Sequence, residues 1–289
     1  MSTPPLGRAV GLVLVGIASV QLGAAVAKGL FGEVSPTTIV WLRLVTSTLV
    51  LLAWARPQVR GRSRSDWLVV LGFGLSLGTM NWAIYQSFAR IPLGIAVTIE
   101  FVGPLALALV GSRRPRDLVW VGLAAAGVVL LGAEPADLDP VGVAFALVAG
   151  VAWAAYILLS ARTGAQWPGL QGLAVASLVA TVPLTPWVLT AHGGQMLDTR
   201  ILLVGLAVGL LSSVVPYSCE LVALRTLPPS VFGILMSLEP AAAAVAALVV
   251  LGELLTALQV AALACVVAAV AGATATSRGA PPHAEPAPD

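Results

Sequence analysis

Ten apolar stretches follow one another along the chain, separated by short segments that hold most of the proline and charged residues. A helix rises about 1.5 Å per residue, so about 20 apolar residues cross a hydrocarbon core of about 30 Å. The pattern therefore predicts ten transmembrane helices. Their approximate bounds are Ala9–Leu30, Thr37–Ala55, Trp67–Phe88, Leu93–Gly111, Leu118–Ala133, Val141–Ala161, Leu170–Ala191, Ile201–Ala223, Ser230–Leu251 and Leu255–Thr274.

The composition supports a membrane protein and excludes a soluble one. Of the 289 residues, 58% are hydrophobic and only 10% are charged, and the mean hydropathy is +0.98. About a quarter of the residues are charged in a soluble domain. The predicted fold class is therefore an all-α polytopic membrane protein with ten transmembrane helices. We expect no cofactor, no metal site, no nucleic acid partner and no enzyme activity, because the chain contains neither a Walker loop nor a Cys/His cluster.

The arginines predict the orientation of the chain. If the N-terminus lies in the cytoplasm, only Lys28, Arg90 and Arg200 fall outside. The other arginines of the connecting segments and tails are then cytoplasmic, and they are Arg8, Arg56, Arg60, Arg62, Arg64, Arg113, Arg114, Arg116, Arg162, Arg225 and Arg278. Cytoplasmic loops of membrane proteins carry such an excess of basic residues. Both termini are therefore expected in the cytoplasm.

The ten helices divide into two halves of five. Residues 1–133 form the first predicted repeat, residues 140–275 form the second, and residues 276–289 form a polar cytoplasmic tail that we expect to be disordered. An odd number of helices in each half makes the second half enter the membrane from the opposite side. The expected architecture is thus two inverted five-helix repeats, as in many transporters.

The fourth predicted helix of each half contains a carboxylate and a proline near its middle. These pairs are Glu100 with Pro104 and Glu239 with Pro240, and each proline follows a loop proline by twelve residues. A proline lacks an N–H, so Pro104 frees the carbonyl of Glu100 and Pro240 frees that of Met236. Such helix breaks are either simple kinks or parts of a cavity that binds an ammonium group.

Four ionisable residues are predicted well inside the membrane, namely Arg43, Glu100, Glu220 and Glu239. Each costs about 2.5–3.5 kcal/mol at a helix centre on insertion scales, so each must face the bundle interior. One interpretation is a structural ion pair between Arg43 and one glutamate. The other is a substrate site that holds both signs of charge.

Several neutral polar or aromatic residues are also predicted at mid-span. Asn81, Tyr85, Tyr156, Tyr217 and Ser237 are the candidates for substrate binding. The same set includes residues not assigned to the site, which are Gln21, Gln86 and Trp153. For any of these residues, hydrogen bonding between helices is the alternative role.

At these residues the sequence resembles the drug/metabolite transporter superfamily of the ten-helix EamA type. The resemblance extends from about Gly11 to Thr274, and it includes WLRLVTSTL at 41–49, IPLGIAVTIEFVGPLALAL at 91–109, VVPYSCELVAL at 214–224 and LGELLT at 251–256. It implies a central cavity and the export of amino acids or related metabolites, such as threonine or homoserine. It also implies functional roles for Arg43, Glu100, Tyr217, Glu220 and Glu239.

The leading hypothesis is a secondary exporter of small zwitterions in a bacterial inner membrane, driven by proton antiport. Its partners would be the substrate, a proton and the lipid bilayer. Between the two proton-coupling candidates, Glu239 is preferred to Glu100, because Glu100 has the freed carbonyl beside it. The alternatives are an exporter of other metabolites or drugs, and a passive channel. The sequence does not predict an oligomeric state.

Overall fold

The computed structural model describes residues 6–110, 117–132, 138–194, 198–223, 227, 232 and 235–276, and these residues form helices and links without a β-strand. The helices are α1 (Leu6–Gly29), α2 (Pro36–Ala55), α3 (Arg64–Phe88), α4 (Leu93–Glu100), α5 (Val102–Val110), α6 (Asp117–Gly132), α7 (Pro140–Gln166), α8 (Gln171–Thr181), α9 (Thr185–His192), α10 (Thr199–Gly209), α11 (Val215–Ala223), α12 (Glu239–Leu251) and α13 (Ala257–Thr276). The prediction of an all-α polytopic membrane protein is confirmed.

Five helical segments are long and apolar enough to cross a bilayer. They are Gly7–Gly29, Pro36–Ala55, Arg64–Phe88, Pro140–Gln166 and Gln171–Ala191. The described parts of the other predicted stretches form shorter helices, so the count of ten membrane spans stays a prediction. Helix α7 continues beyond Ala161, the approximate predicted end of the span, to Gln166 and therefore contains Arg162.

Side-chain caps fix the N-termini of several long helices. The Ser63 hydroxyl accepts the N–H of Asp66, and the Asp66 carboxylate accepts the N–H of Ser63 in return. Ser35 and Asp139 cap α2 and α7, and in each case a proline follows at the first helical position. A proline there loses no helical hydrogen bond, because the first N–H groups of a helix have no partner within it.

One break interrupts the predicted fourth helix in each half. In the first half α4 ends at Glu100 and α5 begins at Val102, so the break precedes Pro104. In the second half a turn at residues 237–238 precedes Glu239 and Pro240, which begin α12. A π-helical segment at Leu210–Val214 further separates α10 from α11.

The helix contacts follow a reciprocal pattern between the two halves. Helix α3 packs on α7 and α8, α1 packs on α11 and α12, α2 packs on α10, and α5 packs on α7. If the halves are interchanged, α3–α7 corresponds to α1–α11, α5–α7 to α1–α12, and α3–α8 to α2–α10. The contacts α2–α8, α4–α12 and α6–α13 each correspond to themselves. The bundle thus has similar helix neighbours in both halves.

Small residues bring particular helices into backbone contact around the middle of the bundle. A Cβ atom added to Gly205 would lie 2.6 Å from the Leu42 side chain, and one added to Gly209 would lie 2.6 Å from Thr46. Glycines spaced by four residues allow membrane helices to approach closely. This close approach places the π-helical segment after Gly209 directly beside α2.

Candidate functional site

A cavity of about 420 Å³ lies in the middle of the bundle. Three charged residues line it, and they come from different helices: Arg43 from α2, Glu100 from α4 and Glu239 from α12. The volume lies within the range of about 300–1,000 Å³ that is usual for small-molecule sites. The predicted central cavity with both signs of charge is therefore present.

The Arg43 side chain is held by the π-helical segment Leu210–Val214. Its Nη2 atom donates to the Ser212 carbonyl at 2.9 Å, and its Nε atom donates to the Ser213 hydroxyl at 3.4 Å. The guanidinium also lies 5.8 Å from the centre of the Tyr85 ring, within range of a cation–π contact. These contacts fix one side of the guanidinium while Arg43 still borders the cavity.

Pro216 explains why the Ser212 carbonyl is available to Arg43. Pro216 has no N–H to donate to the carbonyl four residues earlier, that of Ser212, or to the one five residues earlier, that of Leu211. Arg43 donates to the Ser212 carbonyl, and the Ser19 hydroxyl donates to the Leu211 carbonyl at 2.7 Å. The rule applied to Pro104 and Pro240 applies equally to Pro216, so a free carbonyl was predictable here, but its contact with Arg43 was not.

Arg43 forms no ion pair with any carboxylate whose side chain the structure describes. A structural ion pair of Arg43 with Glu100 or Glu239 is therefore not part of this structure. The guanidinium is oriented by a carbonyl and a hydroxyl, and no carboxylate among the described side chains pairs with it.

Glu100 is the last residue of α4 and is only 9% exposed, yet it borders the cavity. Its carboxyl group makes no hydrogen bond or ion pair with the residues described here. The backbone carbonyl of Glu100, which Pro104 frees, lies close to α7, since a Cβ atom added to Gly150 would be 2.7 Å from it. That carbonyl thus faces the α7 backbone at this crossing.

Glu239 is the first residue of α12 and is 8% exposed. A carboxylate in the first turn of a helix interacts favourably with the helix dipole. Unlike Glu100, Glu239 has an interaction partner. The two carboxylates therefore occupy opposite helix ends and have different surroundings, although both border the same cavity.

Sequence comparison places these features in a known family. The EamA-like transporter family model matches residues 140–275. The chain is 43% identical over 280 residues to the threonine/homoserine exporter RhtA of Salmonella typhimurium strain LT2, covering 96% of this chain and 95% of that protein. The chain belongs to the EamA-like transporter family. The predicted resemblance is confirmed, as is the prediction that the chain is not an enzyme.

This EamA chain is also similar to two further transporters and to a solved structure. Its identity to the threonine/homoserine exporter RhtA of Escherichia coli K12 is 43% over 277 residues, covering 95% and 94% of the two chains. Its identity to the uncharacterized transporter YwfM of Bacillus subtilis is 28% over 224 residues, covering 73% and 74%. A crystal structure of a protein with 21% identity superposes with a TM-score of 0.63 over 93% of this chain and 98% of that one. This last similarity supports the fold alone.

The structure brings some of the predicted site residues of this EamA chain together and not others. Asn81 and Tyr156 line the cavity with the charged residues. Tyr85 is fully buried behind Arg43, and Ser237 is 1% exposed, and neither borders the cavity. Tyr217 and Glu220 belong to α11, but their side chains lie outside the described part of the structure.

Several lining residues were not assigned to the site from the sequence. Trp153 packs edge-on against Phe101, with ring centres 4.7 Å apart, and both border the cavity. Gln21 and Ser212 also line it. Gln21 and Trp153 belong to the polar and aromatic set predicted at mid-span, whereas Phe101 and Ser212 were missed, because one sequence does not show which face of a helix meets the interior.

Three ion pairs among the described residues join the links at one end of the bundle, which we call the ion-pair end. They are Lys28–Glu253, Arg90–Asp139 and Arg200–Glu33. The cations of these pairs, Lys28, Arg90 and Arg200, are the three that were predicted outside. The cavity lining runs from Phe88, the last residue of α3 near this end, through Glu100 to Leu105 and Phe232. The ion-pair end therefore holds together the links on one side of the cavity.

Proposed function

We propose that the chain is a secondary-active exporter of small zwitterionic amino acids, with threonine and homoserine as its substrates. The observation that carries this proposal is one guanidinium and two carboxylates lining a single cavity of suitable size. A zwitterion presents one negative and one positive group, which this arrangement can bind together. The two RhtA relatives, which are named as threonine/homoserine exporters, support the choice of substrate.

Arg43 binds the substrate carboxylate. Ser212 and Ser213 occupy only its Nη2 and Nε atoms, so donors remain on the guanidinium for a ligand. Charge-assisted hydrogen bonds between a guanidinium and a carboxylate are short and strong. The aromatic pair Trp153 and Phe101 forms part of the apolar wall around the bound molecule.

Glu100 binds the substrate ammonium group. It lies at the C-terminal end of α4, where the unpaired carbonyls of the last turn carry partial negative charge and favour a cation. Its carboxyl group has no fixed partner among the described residues, so it is free to accept one. Glu239 contributes the second negative charge to the cavity.

Proton antiport would follow if the Glu100 carboxyl binds either a proton or the substrate ammonium, but not both. A proton taken up from outside would be released to the cytoplasm when the substrate binds there, and the substrate would leave outside when a proton returns. From the sequence alone, Glu239 is preferred as a separate proton carrier. The Glu100 carboxyl has no partner among the described side chains, whereas Glu239 has one, and this difference favours Glu100 instead.

The two halves, residues 1–133 and 140–275, act as inverted repeats that rock against each other around the cavity. The reciprocal helix contacts support this proposal, as does the match of the family model to residues 140–275. Alternating access in such transporters is largely the movement of one repeat against the other. In this cycle the ion-pair end would open to release the substrate.

The transporter would lie in a bacterial inner membrane with both termini in the cytoplasm and the ion-pair end outside. The asymmetry of the arginines supports this orientation. A single cysteine introduced at Ser63 in whole cells tests it. An impermeant thiol reagent should not label that cysteine, and labelling would contradict the orientation.

Overexpression tests the proposed function in cells. Cells that produce the chain should tolerate toxic concentrations of threonine or homoserine better than cells that produce the Arg43→Ala variant at equal membrane levels. Tolerance only to apolar cations or dyes would instead support a drug exporter. Counterflow of labelled threonine in proteoliposomes separates a carrier from a channel, because only a carrier accumulates label transiently against unlabelled substrate.

A further inference from the structure

Gln21 is an amide in the cavity wall without a partner among the described residues. It lies in the middle of α1, is 6% exposed and borders the same cavity as Arg43, Glu100 and Glu239. Its carboxamide makes no hydrogen bond to any residue in the described part of the chain, and its Oε1 atom is buried without a partner. A buried amide that lacks a partner destabilises the protein.

The surroundings of Gln21 do not explain this amide as a structural contact. Its neighbours on α1 in the cavity wall are Val20 and Ala24, which are apolar. Asn81 also lines the cavity, but its Nδ2 atom donates to the Leu77 carbonyl of its own helix at 2.9 Å. Gln21 has no equivalent contact with a described residue. Water or a ligand that enters the cavity is then a source of a hydrogen bond for its N–H groups.

The chemistry of Gln21 selects a neutral ligand group. The substrate carboxylate and ammonium are matched by Arg43 and Glu100, so the remaining polar part of the substrate is its side chain. The Oε1 atom of Gln21 is itself buried, so the amide N–H is the group that Gln21 offers to a ligand, and the oxygen of a hydroxyl group can accept it. An apolar side chain of equal size would leave the amide unpaired, and sites built to bind a hydroxyl reject such analogues.

We propose that Gln21 is a specificity-determining residue that binds the side-chain hydroxyl of the transported amino acid. This inference rests on the proposed function, and it narrows the substrate class to amino acids with a short hydroxyl-bearing side chain. Threonine and valine have nearly the same shape and differ by a hydroxyl in place of a methyl group. Their relative affinity therefore reports on the contact with Gln21.

Competition in proteoliposomes measures this relative affinity. Counterflow of labelled threonine is inhibited by unlabelled threonine or valine, in wild type and in Gln21→Leu. One hydrogen bond to a neutral group changes affinity by about tenfold. We expect wild type to prefer threonine to valine by about tenfold or more, and Gln21→Leu to bring the ratio close to one. Gln21→Met, with a more flexible apolar side chain, serves as the second variant if Gln21→Leu does not reach the membrane.

Ser87→Ala is the matched control. The Ser87 hydroxyl is also fully buried without a partner among the described residues, but Ser87 does not border the cavity. Its removal should leave the threonine-to-valine ratio as in wild type. A wild-type ratio in Gln21→Leu and Gln21→Met, or equal affinities for threonine and valine in wild type, would overturn the inference and leave amino-acid export standing. Absence of any amino-acid counterflow in wild type would overturn the proposed function itself.

Discussion

Lys28 and Glu253 form an ion pair that joins the last turn of α1 to the link after α12. Lys28 Nζ also donates to the Ile91 carbonyl at 2.7 Å, and Glu253 Oε2 accepts the N–H of Leu93 at 2.9 Å. Leu93 begins α4, where Pro92 provides no side-chain cap. Glu253 therefore caps the helix that ends at Glu100, while it is paired with the C-terminal turn of α1.

Gly252 places Glu253 in this position. It has a φ of 68° and ends α12, and the N–H groups of Gly252 and Glu253 donate to the carbonyls of Leu248 and Ala247 at 3.1 and 3.2 Å. These two bonds satisfy carbonyls of the last helical turns, and the bond of Gly252 is that of the αL motif. A left-handed φ favours glycine, so the backbone conformation explains the glycine in the LGE segment at 251–253.

Loss of the Lys28–Glu253 pair should favour opening at the ion-pair end. Glu253→Gln removes the charge but keeps an acceptor for the N–H of Leu93. We expect a single cysteine at Val97, which lines the cavity, to react about fivefold faster with an impermeant reagent outside the cell, corresponding to about 1 kcal/mol for one ion pair. The background for this measurement replaces Cys219 and Cys265.

Arg200→Gln is the control for that measurement. The Arg200–Glu33 pair is at the same end, but its side chains are 67% and 59% exposed, against 17% and 21% for Lys28 and Glu253. Exposed pairs contribute little. We therefore expect almost no change in reactivity at position 97. Equal effects of the two variants, or no effect of Glu253→Gln, would show that the Lys28–Glu253 pair does not restrain this end.

Gly150 should tolerate no side chain. A Cβ atom there would lie 2.7 Å from the Glu100 carbonyl and 3.3 Å from the Gly103 nitrogen. Overpacking of this kind destabilises proteins by about 1–3 kcal/mol. We expect Gly150→Ala to lower the thermal unfolding midpoint in detergent and to reduce threonine binding, because it displaces the end of α4. Gly164→Ala on the same helix has no atom within 4 Å of the new Cβ and should be neutral or stabilising. Similar midpoints for the two variants would contradict the described crossing.

The helices were predictable from the sequence, but several contacts between them were not. Apolar length alone indicates where a helix runs, and Pro104 and Pro240 indicate where two of them break. The π-helical segment before Pro216 was not predicted, because the hydropathy pattern is the same for α and π geometry. Tyr85 and Asn81 lie four residues apart on α3, yet only Asn81 reaches the cavity. Which of the two side chains faces the cavity depends on the helices that cover each side of α3, and one sequence does not contain that information.

Arg43 should be required for recognition of the substrate carboxylate and not for folding. With no ion pair to a described carboxylate, its removal leaves no such glutamate newly unpaired. Wild type should prefer threonine to threonine methyl ester by about tenfold, because the ester lacks the carboxylate. We expect Arg43→Ala to reach the membrane at wild-type levels and to bind the two compounds about equally. Low membrane levels that are restored by neutralising one glutamate would show a structural ion pair instead.

The two carboxylates should behave differently when they are neutralised. Glu100→Gln removes the charge that binds ammonium or a proton, so we expect loss of both pH-driven export and threonine counterflow. Glu239→Gln should retain counterflow and at least part of the pH-driven export. If Glu239→Gln abolishes pH-driven export while counterflow persists, Glu239 is the separate proton carrier and the shared role of Glu100 is wrong. Normal pH-driven export by Glu100→Gln would also show that the shared role of Glu100 is wrong.

Threonine transport by purified protein in proteoliposomes with an imposed pH gradient tests the central claim most directly. The claim is that a proton and a zwitterion exchange across one cavity that contains Arg43 and Glu100. Wild type should move labelled threonine uphill against the direction of proton flow, and the movement should stop when the gradient is collapsed. Arg43→Ala and Glu100→Gln should not accumulate threonine. Accumulation that is unchanged without a pH gradient, or wild-type accumulation by Glu100→Gln, would contradict this account.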